Sequence, residues 1–130
     1  MDYHQILEDI EKILDDLKQE NKTTPIIVEG DKDIEALRSL NIKGEIIRFN
    51  QGVSITDFCD SISKLYKKII LLTDWDKKGG YLCYTLKKNL ESRVQCNISY
   101  RENLAKKTMV RTVEAIPSWI KNLQIKINKN

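Results

Sequence analysis

The segment KKIILLTDWDKKGG, residues 67–80, holds four consecutive Ile and Leu residues and stops on two aspartates, Asp74 and Asp76, with Trp75 between them and two lysines and two glycines behind. A continuous apolar run of this length suits a strand covered on both faces, as in a parallel sheet. On an extended chain, a spacing of two puts both carboxylates on one side. Carboxylates so close repel each other unless a cation or a shared proton lies between them. Mg2+ suits the pair, because it takes carboxylate oxygens and keeps waters that phosphate oxygens can replace. Mn2+ is a possible substitute. The plainer alternative is a polar exit from a strand, where aspartate is common. Trp75 is expected to turn aside and pack on the core.

Working outward, the chain alternates helices and strands. Residues 2–20 carry Ile6, Leu7, Ile10, Ile13, Leu14 and Leu17 at spacings of three and four, one stripe of an amphipathic helix. PIIVEG (25–30) reads as a strand with proline at its first residue. DKDIEALRSLN is the next helix, with Asp31 as a possible cap. Strand two is expected at Glu45–Phe49, and a helix over SITDFCDSISKLYKK follows. After the third strand comes a helix opening at Gly79 and Gly80, then VQCNISY as strand four. A basic segment runs from Arg101 to Arg111, and Pro117 starts or interrupts a last short helix. Crossover helices between short strands imply a mostly parallel four-stranded sheet flanked by helices, an α/β fold. The expected organisation is an amphipathic helix at 1–22, a domain at 23–120 and a basic tail at 121–130.

Ligands of such sheets bind beyond the carboxyl ends of the strands, where strand order reverses. Glu29 ends an otherwise apolar strand there, and Gly30 behind it permits a tight turn. Glu29 is therefore a candidate to ligate the metal or to move a proton at an oxygen on phosphorus. Its alternative is a first-turn acid of the next helix, a place Asp31 and Asp33 already fill. Gly79 and Gly80 could leave amides free for a phosphate. Lys77 and Lys78 could neutralise one, or simply solvate a loop. Asn50, Gln51 and Gly52, after strand two, belong to the same rim, touching substrate or capping a helix.

The 130 residues suffice for one domain with one core. No apolar run is long enough to cross a bilayer, and the acidic N-terminus does not resemble a signal peptide, so a cytoplasmic protein with no membrane partner is expected. Cys59, Cys83 and Cys96 are far apart and the single histidine is His4, a distribution that argues against a zinc site and for three packed thiols. The net charge of +3 is uneven: −4 over residues 1–22, −2 over 23–76 and +9 over 77–130. A clustered positive charge attracts polyanions such as nucleic acid, although a solvated lysine-rich face would look the same.

Two separated stretches, PIIVEGDKDIEAL (25–37) and IILLTDWDKKGG (69–80), together resemble the Toprim domain, the catalytic module of topoisomerases, DnaG-type primases, OLD and RecR proteins and M5 ribonucleases. The family's glutamate–glycine falls on Glu29 and Gly30, and its DxD followed by glycine falls on Asp74, Asp76 and Gly79. IIRFNQGVSITDF is similar to the stretch before the third strand in small stand-alone members, and VEAIPSWI, with Glu114, to a segment near the end of such domains. The resemblance implies a three-layer Rossmann-like Toprim fold, Mg2+ on the aspartates, and Glu29 as general acid or base in phosphoryl transfer on nucleic acid. Departures from the larger family members matter. Topoisomerases add a nucleophilic tyrosine module, and primases and RecR-like proteins add zinc segments. A stand-alone domain is expected here, with no tyrosine as nucleophile.

The expected activity is nuclease-like, on RNA or DNA, with Lys77, Lys78, Arg101, Lys106, Lys107 and Arg111 gripping the backbone. One alternative is a non-catalytic nucleic-acid-binding or scaffold subunit of a repair, replication or RNA-processing complex. In that case the acidic N-terminal helix would be a surface for a protein partner or a homodimer. The other alternative is an enzyme acting on a nucleotide.

Overall fold

A computed structural model describes residues 1–49 and 51–129. In chain order these form α1 (Tyr3–Asn21), β1 (Ile26–Val28), α2 (Asp31–Ser39), β2 (Ile46–Arg48), α3 (Ile55–Leu65), β3 (Lys68–Leu71), α4 (Lys77–Leu90), β4 (Gln95–Asn97), α5 (Ser99–Lys107) and α6 (Ile116–Asn128). The four strands make one sheet in the order β2-β1-β3-β4, and every pairing is parallel. The expected α/β architecture, a parallel sheet flanked by helices, is present.

Residue alternation on the two central strands separates two cores. Ile26, Val28, Ile70 and Leu72 face a cluster built from Ile10, Leu14 and Leu17 of α1, Leu37 of α2, Leu104 of α5 and Ile116 of α6. Ile27, Ile69 and Leu71 face Phe58, Cys59 and Ile62 of α3 and Cys83, Leu86 and Leu90 of α4. Both faces of β1 and β3 are thereby covered, which is why these strands read as unbroken Ile, Val and Leu. The apolar stripe of α1 is consumed by its own sheet and by α5 and α6. Pro117 sits in the first turn of α6, where its missing N–H and fixed φ suit the helix. That helix runs through residue 121 to Asn128 and buries Leu123.

Three local expectations change. The segment from Ser99 to Lys107 is helical, and strand four is confined to Gln95–Asn97. Asp31 does not cap α2. Gly30 is its N-cap residue, Asp33 accepts the Gly30 N–H at 3.0 Å, and Asp31 instead pairs with Arg48 at 3.2 Å. The fourth helix opens at Lys77 rather than Gly79, with Asp76 as its N-cap. No helix among the described residues is long and apolar enough to cross a membrane. Cys59 and Cys83 are buried, and Cys96 is half-buried beside them.

Candidate metal centre

The connection from β1 to β2 and that from β3 to β4 leave the middle of the sheet in opposite directions. Strand order therefore reverses between β1 and β3, and a crevice opens beyond their carboxyl ends. Glu29 follows the last residue of β1, and Asp74 lies three residues past the end of β3. Glu29, Asp74 and Asp76, all half-buried, each place a carboxylate oxygen so that the three lie within 4.8 Å of one another.

Backbone amides hold each carboxylate. Glu29 Oε2 accepts the Asp74 N–H at 2.8 Å, which ties the ends of β1 and β3 together directly. Asp74 Oδ1 accepts the Val113 N–H at 2.8 Å, and Asp76 Oδ1 accepts the Gly79 N–H at 2.7 Å. Among the described residues, the second oxygen of each carboxylate has no protein donor. One oxygen fixed and one available on each of three acids is a donor set preorganised for a hard cation, whose ligands are carboxylate oxygens and water. The electrostatics agree with that chemistry. Burial, opposed by the Val113 amide and reinforced by the charges of Asp33, Glu29 and Asp76, pushes Asp74 up from its ordinary 3.8 to about 7. A positive ion beside it would reverse that balance.

The surroundings fix the aspartate loop on three sides. Arg101 donates from Nε to the Thr73 carbonyl at 3.1 Å and from Nη2 to the Asp74 carbonyl at 2.8 Å. Trp75 turns away from the acids, as expected: it packs on the core and its indole N–H donates to the Val110 carbonyl at 2.6 Å. Its backbone N–H donates to the Arg111 carbonyl at 2.9 Å, so the segment after α5 folds back along the loop. Thr73 Oγ1 donates to the Gly79 carbonyl at 2.8 Å. Gly79 is needed for close approach, since a Cβ there would run into the Asp74 carbonyl group.

Gly30, Gln51 and Gly52 line, with Glu29, Arg48 and Phe49, a cavity of about 350 Å³ beside the acids. Asn50 lies outside the described residues. Lys77 and Lys78 are exposed in the first turn of α4, and Arg111 is exposed beside the Trp75 loop. Lys106 and Lys107 lie at the far end of α5, where Lys107 pairs with Asp9 at 3.4 Å. The Gly79 amide is taken by Asp76 and so is not open to a phosphate. Glu114 is exposed and 4.0 Å from Lys32.

Sequence reasoning missed one contributor and understated another. Asp33, only 6 % exposed, holds the Glu29–Gly30 turn. Burial raises its pKa, aided by Glu29 and Glu114 and opposed by backbone amides. It lies in the first turn of α2, where the sequence placed it, and its bond to Gly30 is marked by the spacing of three, the capping-box distance. Val113 contributes only a backbone N–H, for which a side-chain pattern carries no signal.

The match to the Toprim domain model spans residues 24–110, from the loop before β1 to the return past the aspartates. The chain belongs to the Toprim domain family. Within it, the chain is similar to a UPF0292 protein of Thermoplasma volcanium, 41% identical over 102 residues covering 78% of this chain and 86% of that one. A UPF0292 protein of Methanosarcina barkeri is 28% identical over 128 residues, 95% of this chain and 89% of the other. A solved structure of a protein from Aquifex aeolicus matches with a TM-score of 0.70 at 27% identity, over 80% of this chain and 94% of that one. In this Toprim domain, Glu29, Asp74 and Asp76 form an acidic cluster able to hold a divalent metal such as Mg2+.

Proposed function

We propose that this Toprim protein is a Mg2+-dependent phosphoryl-transfer enzyme of nuclease type, acting on RNA or DNA in the cytoplasm. The observation that carries the reading is the convergence of Glu29, Asp74 and Asp76, from two different strands, on one point at the switch of strand order. Asp74 and Asp76 hold the cation, with Glu29 closing the site. The ion, when bound, supplies Lewis-acid charge to a phosphate oxygen. Glu29, fixed through Oε2, offers its other oxygen to the site, as a ligand while the site is empty of substrate and for proton transfer at an oxygen on phosphorus once substrate is bound. Lys77, Lys78 and Arg111 supply positive charge around the opening, with Lys106 and Lys107 further along the same basic half. Arg101 keeps the Asp74 backbone in place and adds its charge beneath the loop.

The test is incubation with labelled single-stranded and duplex RNA and DNA, with Mg2+ or Mn2+ and with chelator, beside Glu29→Gln and Asp74→Asn. Metal-dependent cleavage lost in both variants is expected. Tight binding without turnover, unchanged in the variants, would replace the enzyme with a binding subunit.

A further inference from the structure

We propose that the exposed face of α4 is a track for an unpaired nucleic-acid strand leading away from the candidate metal centre. This rests on the reading of the site as one that acts on nucleic acid. Five residues of α4 are exposed, Lys77, Lys78, Tyr81, Tyr84 and Lys88, and Tyr81 and Tyr84 are 71% and 63% accessible. At 3.6 residues per turn, Lys77, Tyr81, Tyr84 and Lys88 fall in one stripe about 60° wide and roughly 16 Å long. The stripe begins one residue after Asp76, so it is continuous with the acidic cluster.

The chemistry is specific. Two tyrosines on a solvent-facing surface forgo burial that aromatic rings ordinarily obtain. They sit about 4.5 Å apart along the helix axis, flanked by lysines on both sides. Tyr81, Tyr84, Thr85, Lys88 and Asn89 border an open cavity of about 540 Å³. The helix itself carries four lysines and no acid between Asp76 and Glu91. Among the described residues, Lys77, Lys78 and Lys88 make no ion pair. Aromatic faces that stack on bases, interleaved with cations that follow a phosphate backbone, are the means by which proteins hold single strands. A duplex keeps its base faces stacked internally, so the track selects unpaired substrate. RNA and DNA share this chemistry.

Fluorescence anisotropy with labelled single-stranded and duplex oligonucleotides, each as RNA and DNA and with chelator present, tests the track without turnover. Tyr81→Ala and Tyr84→Ala are expected to weaken single-strand binding about 5- to 150-fold each, the equivalent of about 1–3 kcal/mol per stacked base. Tyr→Phe at either position keeps the ring and is expected to bind within about threefold of wild type. Lys88→Gln reduces the salt dependence of log Kd by about one unit. Because both rings are exposed, unchanged melting temperatures are expected to exclude unfolding. Unaltered affinity in the alanine variants, or equal affinity for duplex, would overturn the track. So would a dimer that the alanine variants dissociate in sedimentation, with no oligonucleotide bound. If Glu29→Gln abolishes cleavage while the tyrosine variants bind normally, the track fails and the enzyme stands. If the tyrosines are needed for binding but nothing is cleaved, the enzyme fails and the track stands.

Discussion

Two adjacent glycines, Gly79 and Gly80, occupy the first turn of α4, and replacing each by alanine is expected to move stability in opposite directions. Alanine is favoured over glycine in a helix by about 0.5–1 kcal/mol. At Gly80 nothing opposes that gain, because the nearest atom to an added Cβ is Arg101 Nη2 at 3.5 Å, an ordinary contact. At Gly79 the same Cβ would meet the Asp74 carbonyl group and approach its Cα to 2.9 Å. That obstacle is backbone, held at its N–H by Glu29 and at its carbonyl by Arg101, so it cannot swing aside like a side-chain tip. Overpacking against a fixed partner costs about 1–3 kcal/mol. The upper part of that range exceeds the helix gain, for a net loss of about 1–2 kcal/mol. For a chain of this size, this lowers Tm by roughly 5–10 °C, while Gly80→Ala raises it by a few degrees. The forced shift also displaces Asp74, so Gly79→Ala weakens Mg2+ binding and Gly80→Ala does not. Thermal melts of the two variants, with and without Mg2+, read both effects. A Gly79→Ala protein melting at or above Gly80→Ala would refute the close-approach argument.

Further expectations concern the same loop. The folded pKa of Asp74, about 7, lies above its ordinary 3.8. The group's contribution to metal-free stability is therefore full below about pH 4 and is lost as pH rises through about 7. The full shift would correspond to about 4 kcal/mol, and partial solvent screening halves it to about 2. Asp74→Asn should flatten that decline in urea melts across pH 4–8, and Mg2+ should restore wild-type stability at pH 8. Arg101→Ala should lose about 1–2 kcal/mol and reduce Mg2+ affinity, read by melts and calorimetry. Because the planar fork serves two carbonyls, Arg101→Lys should rescue it poorly.

Much of this arrangement was legible in the sequence because β1 and β3 are buried on both faces. Their Ile, Val and Leu runs leave Glu29 and Asp74 conspicuous at the ends, and the parallel architecture follows from the crossover helices. Helix α5 was illegible because only Leu104 is buried along it and its first amide, that of Ser99, is taken by Asn97, a residue read as part of strand four. Within it Tyr100 and Leu104 pack on the core, too short a pattern to read as a stripe, so its lysines read as a basic segment. The start of α4 was misplaced because two glycines look like a turn, whereas the Asp76 cap pulls the helix boundary back to Lys77. The amide of Val113 and the cap from Asp33 close the site through backbone donors and a buried acid, which composition and periodicity do not mark.

The most direct measurement is calorimetric titration of Mg2+ and Mn2+ into the wild-type protein and into Glu29→Gln, Asp74→Asn and Asp76→Asn. One site, weakened at least about tenfold by each substitution while melting temperatures without metal are kept or raised, is the result the three-carboxylate site predicts. Metal binding that any one of the three substitutions leaves unchanged would contradict it.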